Sequence, residues 1–104
     1  MTNSLSHQAQ ELKVIDYVGS NFAENKDIAR KIRLELLWPA VQRGQQMTVD
    51  FAGIEDATQS FIHAMLSQMI RDTQGEVLDL LSFKNCNDTV KKIINMVVDY
   101  MLEG

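Results

Sequence analysis

Between residues 61 and 70 the apolar side chains fall at Phe61, Ile62, Met65, Leu66, Met69 and Ile70, in steps of one and three that mark one face of a helix. Gln74-Gly75 ends that stripe. It recurs at Val90, Ile93, Ile94, Val97, Val98 and Met101, after Asn85-Cys86-Asn87-Asp88, a stretch rich in side-chain oxygens that can cap a first turn. An earlier helix starts near Asn25, another capping residue, and carries Ile28, Ile32 and Leu36 on one face with Ala29 and Leu37 beside them. Arg30, Lys31, Arg33 and Glu35 fill the rest of its circumference, and Gly44 suits a C-terminal stop. Pro39 has no N–H and its ring clashes with the preceding turn, so a kink or break is expected near Trp38.

Three shorter apolar runs read as strands. Leu12 to Val18 is dense in apolar residues and closes at Gly19-Ser20-Asn21. Residues 46–51 alternate Met47, Val49 and Phe51 with Thr48 and Asp50, a period of two. Val77, Leu78, Leu80, Leu81 and Phe83 form a nearly continuous run, as expected of a central strand buried on both faces. The order β-α-β-α-β-α predicts an α/β fold with a small, mostly parallel or mixed sheet joined by helical crossovers. Residues 1–10 are polar and aperiodic and read as a disordered tail, leaving 11–104 as the domain.

Composition narrows the function more than the fold. A chain of 104 residues with 45% hydrophobic content supports one core. Its net charge of −4 repels polyphosphate, which argues against general nucleic-acid binding. One cysteine, Cys86, allows no internal disulfide and fits a reducing compartment. With no secretory leader pattern at the start and no apolar run of membrane-spanning length, a cytoplasmic location without membrane insertion is expected. His7 and His63 with a single cysteine make no zinc set, and no phosphate loop, dinucleotide glycine pattern or nucleophile elbow occurs, so no cofactor or metal is implied.

The stretch VDFAGIEDATQSF, residues 49–61, resembles the strand–turn–helix signature of the STAS-like domains, a bacterial family related to the anti-sigma factor antagonists. Asp50, Phe51, Gly53, Ile54 and Ser60 stand in the family's order. Phe83-Lys84-Asn85-Cys86-Asn87 is similar to the family's strand end with paired asparagines, and the resemblance extends over roughly residues 12–102. Antagonists that are phosphorylated carry Asp-Ser-Ser-Gly where this chain reads Thr58-Gln59-Ser60-Phe61, without the acidic residue or the glycine. The resemblance implies a scaffold that performs no chemistry itself and docks on a protein partner, such as a histidine-kinase-like ATPase acting as a serine kinase.

On that reading Ser60 matches the phosphoacceptor position, and the free amides and dipole of a helix start can hold a phosphate there; the alternative is that it caps or opens the helix. Thr58 is a substitute acceptor. Asp50, Asp56, Gln59, Asn85, Asn87 and Trp38 are candidates for the partner surface. Asp50 and Asn85, near strand ends, are expected rather to satisfy loop backbone groups, and Asn85 and Asn87 to cap the last helix. Trp38 either covers a core edge or anchors a partner. Met65, Met69 and Met101 lie on core stripes, whereas Met96 and Tyr100 fall off the last one and are expected at the surface. Cys86 is expected to be an inert thiol.

The functional expectation is therefore a non-enzymatic regulatory interaction module, a partner-switching antagonist controlled by serine phosphorylation. Its alternative is a structural or accessory oligomerisation domain without a covalent switch. An enzyme using Ser60, His63 or Cys86 would need those groups to converge, and no orienting acid can be named.

Overall fold

The computed structural model describes residues 10–103. Three strands, β1 (Gln10–Lys13), β3 (Met47–Asp50) and β5 (Leu81–Lys84), form one parallel sheet in the order β1-β3-β5. A second sheet pairs β2 (Phe22–Ala23) with β4 (Asp56–Ala57), also in parallel. The helices are α1 (Val14–Val18), α2 (Lys26–Ile32), α3 (Trp38–Gln42), α4 (Gln59–Thr73) and α5 (Asp88–Glu103). The expected α/β class and a parallel sheet with helical crossovers are what the chain adopts. The expected tail, residues 1–10, lies outside the described residues except for Gln10, which pairs with Met47.

The register of the main sheet explains where two expected strands stop. β3 offers four residues, and each pairs on both sides: Met47 with Gln10 and Leu81, Asp50 with Lys13 and Lys84. The expected strand 12–18 therefore ends at Lys13. Val14–Val18 turns into α1, closed by Gly19 at φ +77°, whose N–H reaches the Ile15 carbonyl at 2.9 Å. Likewise the expected strand 77–83 begins only at Leu81. Glu76–Asp79 forms a 3₁₀ turn entered through Gly75 at φ +88°, and both Leu78 and Leu80 are half-buried in that turn region.

β3 is the central strand, a place the sequence had suggested for the run 77–83. Met47, Val49 and Asp50 are buried and Thr48 half-buried, so both faces of β3 are covered. β5 instead alternates buried Leu81, exposed Ser82, half-buried Phe83 and exposed Lys84, the pattern of an edge strand with one covered face. Phe83 meets Phe51 in a tilted ring contact with centroids 6.5 Å apart.

Pro39 does not break the chain's second helical region. Arg33–Leu37 widens into a π-helical turn, in which the Trp38 N–H donates to the Arg33 carbonyl, and α3 follows directly with Pro39 in its first turn. A proline cannot donate to the carbonyl four residues back, and the wider turn gives its ring room. The helical path thus runs unbroken from Lys26 to Gln42 and ends at Gly44, φ +72°. Its buried face holds Ala29, Ile32, Leu37 and Ala40, and α2 packs along α4.

α4 and α5 supply the rest of the core. Phe61, Ile62, Met65, Leu66, Met69 and Ile70 of α4 are buried, with Val90, Ile94 and Val97 of α5 against them. Ile93, Val98 and Met101 pack at the edge of this cluster. No helix among the described residues is long and apolar enough to cross a membrane.

Candidate functional site

α4 begins with Thr58 as its N-cap: the Thr58 Oγ1 accepts the Phe61 N–H at 3.0 Å and lies 3.3 Å from the Ser60 hydroxyl. Capping is therefore done by Thr58. Ser60, two residues further on, is exposed and lines an open groove of about 700 Å³. Gln59, Ser60, His63 and Ala64 form the α4 wall of this groove with Thr58, and Lys26, Arg30 and Arg33 form the opposite wall.

The cations reach the groove by helical spacing. Lys26, Arg30 and Arg33 are four and three residues apart, which puts them on one face, bordered by the buried Ala29 and turned away from the buried Ile32. Arg33 is fixed by a 2.8 Å hydrogen bond from its guanidinium to the Ala64 carbonyl on α4. Arg30 pairs with Asp27 at 2.8 Å. In the sequence Arg30 and Arg33 read as polar circumference and Lys26 does not stand out; the stripe of the three at helical spacing is the signal that finds them.

This lining suits an anion. It contains no Asp, Glu or Cys, so it offers no anionic ligand to a metal ion. His63 shares the groove with Ser60, but its Nδ1 is 3.2 Å from the Ser67 hydroxyl on its own helix, and no carboxylate of the lining orients it. His7 lies outside the described residues.

The remaining candidates gather at a second place, where the loops after β3 and β5 meet. Asp50 is only 4% exposed, and its Oδ1 accepts the Ala52 N–H at 2.8 Å and the Asn85 side-chain amide at 2.9 Å. Those two bonds, Asn85 first, hold the Asp50 carboxyl below the usual carboxylate value against the opposing effect of burial. Asn85 adopts φ +58°, a left-handed conformation that asparagine tolerates well. Asn87 caps α5, accepting the Val90 N–H at 2.8 Å, while its amide donates to the Glu55 carbonyl at 2.9 Å. Ile54 is buried between these loops, and Gly53, φ +84°, packs so near Ile15 that a Cβ would stand 2.7 Å from its Cδ1.

Cys86 is half-buried between the two asparagines, and burial pushes its thiol pKa up, which disfavours the thiolate. Asp56 is exposed and accepts the Ala57 N–H at 2.8 Å. Trp38 is half-buried and packs on the core. Thus Thr58, Gln59 and Ser60 stand together in the groove; Asp50, Asn85 and Asn87 stand together at the loop junction; and Trp38 lines neither.

No curated protein and no solved structure matches the chain. A family model described as a STAS-like domain of unknown function (DUF4325) matches residues 29–91, a span that includes Arg30, Arg33, Ser60 and the Asp50–Asn85 contact but leaves out Lys26. With more than half of its 104 residues in that match, and with the parallel sheet and crossovers described above, the chain belongs to the STAS-like domain family.

Proposed function

We propose that this protein is a regulatory protein-interaction module without catalytic activity of its own, and that Ser60 is the position at which its binding is controlled. The observation that carries the reading is the setting of the Ser60 hydroxyl: exposed, on the first turn of α4, facing a wall that presents Lys26, Arg30 and Arg33. A phosphate there would be held by cations of the same domain and by the start of α4. Thr58 is the weaker acceptor, because its hydroxyl already caps the helix.

The partner is a histidine-kinase-like ATPase acting as a serine kinase. The Ser60 Oγ attacks the γ-phosphorus of ATP, the bond from that phosphorus to the β–γ bridging oxygen breaks, ADP leaves, and the hydroxyl proton passes to a base of the kinase. In this reading the protein acts in the cytoplasm, Gln59 contributes to the docking surface at the groove, and the exposed Asp56, Asn85 and Asn87 extend that surface outside it. The test is intact-mass measurement of the wild type and of Ser60→Ala after incubation with such an ATPase from the source organism and ATP. One added phosphoryl group on the wild type alone supports the reading; none on either, with ADP still produced by the ATPase, contradicts it.

A second reading, an oligomerisation domain without a covalent switch, draws on one observation. Met96 and Tyr100, one turn apart on α5, are 44% and 67% exposed, and Leu102 is exposed beyond them. Sedimentation of the wild type against Met96→Ser, Tyr100→Ser separates the two: a dimer lost in the variant favours this reading, and a monomer in both removes it.

A further inference from the structure

The cationic wall of the groove is concentrated beyond what the composition suggests. Three of the chain's ten basic residues stand on one helix face of a molecule whose net charge is −4, and among the described residues no carboxylate lines the groove opposite them. Lys26 makes no ion pair among the described residues. The Arg30–Asp27 pair leaves both side chains more than half exposed, at 51% and 87%, so solvent screens it and an incoming carboxylate can compete for the guanidinium. Arg33 spends one donor on Ala64 and is thereby held in place for others.

We infer that this groove is the docking site for an acidic segment of the partner protein, a run of Asp or Glu side chains lying across the wall formed by α2. The inference rests on the reading of the protein as an interaction module, and it names the chemistry of the partner and the means of its release. Lys26 and Arg33 are seven residues apart, about 10 Å along a helix. One small anion reaches only part of that wall. Alternate side chains of an extended peptide recur about every 6–7 Å on one face, close to the spacing of neighbouring cations one helical turn apart. Among the described residues no Phe, Tyr or Trp lines the groove to stack a base, and the negative molecule around it opposes a polyphosphate. A phosphate on Ser60 would take up the same cations, so modification and docking exclude one another.

The test is calorimetry of the full chain with a short peptide of alternating Glu and Ser, capped at both ends, beside the same peptide with Gln for Glu and a single-stranded RNA of equal charge. The acidic peptide should bind, weaken steeply as salt is raised, and lose about tenfold or more in affinity to Lys26→Glu, Arg30→Glu. The milder pair Lys26→Gln, Arg30→Gln should lose less, and Lys91→Glu, Lys92→Glu on the surface of α5 should bind nearly as the wild type. Ser60→Asp should bind more weakly than Ser60→Ala. Absence of peptide binding at low salt, equal loss in the α2 and α5 charge reversals, or tighter binding of the RNA would each overturn the inference. Peptide binding without any phosphoryl transfer to Ser60 would uphold the acidic docking site and remove only the covalent switch, whereas transfer to Ser60 without peptide binding would remove the docking site alone.

Discussion

The two places where candidate residues gather are built in opposite ways. At the loop junction the candidate side chains are committed: Asp50 to Ala52 and Asn85, Asn87 to both Glu55 and Val90. In the groove, among the described residues, Ser60 has only the Thr58 hydroxyl as a side-chain partner and Lys26 has no ion pair, and the groove is open to solvent. A junction whose polar side chains are already bonded, around the buried Asp50, contributes to stability. A groove that keeps donors and charge in reserve is suited to the proposed recognition, because those groups gain most from a partner that supplies what the domain does not.

That contrast breaks most visibly at Asp50. Asp50→Ala removes a nearly buried acceptor and strands the Ala52 N–H and the Asn85 amide, so unfolding by urea should show a loss of about 3 kcal/mol. Acid should reveal the same residue. Its folded-state pKa is lowered, so its contribution is fully present above the unfolded carboxylate range and is lost as pH falls through the folded value. The wild type should therefore lose stability below about pH 4–5 more steeply than Asp50→Asn, which has no carboxyl to protonate there. Parallel slopes for the two proteins would show that the junction does not depend on that charge.

Asn87→Ala should cost about 1–2 kcal/mol, since it uncaps α5 and unfastens the Glu55 carbonyl at once. Thr58→Ala, at the groove but acting as a cap, should cost about 1 kcal/mol, and Thr58→Ser should recover most of it. Ser60→Ala should leave the urea midpoint unchanged within error. Were Ser60→Ala as destabilising as Asn87→Ala, the division between a structural junction and a free groove would be wrong.

The sequence made the junction's members visible but not their meeting. Stripes of period 3.6 located α4 and α5, and alternation located β3, because those elements bury one face or both along their whole length. Val14–Val18 misled because a short, dense apolar run fits a strand or one buried helical turn equally, and only the four-residue register of β3 decides. Leu78 and Leu80 misled in the same way, by lending a 3₁₀ turn the hydrophobicity of the strand beside it. Pro39 signalled a disturbance, yet a π turn absorbed it without ending the helix. The cationic stripe of Lys26, Arg30 and Arg33 was legible at helical spacing; that it faces Ser60 follows from the packing of α2 on α4, a tertiary fact that no local pattern carries.

Ser60 is where the account is most exposed to a single result. Calorimetry should compare Ser60→Ala and Ser60→Asp, neither of which can be phosphorylated at position 60, against the proposed ATPase partner at one salt concentration. If a charge on Ser60 draws the groove's cations inward and away from the partner, Ser60→Ala should bind as the unmodified wild type does. Ser60→Asp should then bind roughly tenfold to a hundredfold more weakly, a penalty of about 1.4–3 kcal/mol. Equal affinities for the two variants, both folded to the same urea midpoint, would contradict control through Ser60 and leave a module that binds without a switch.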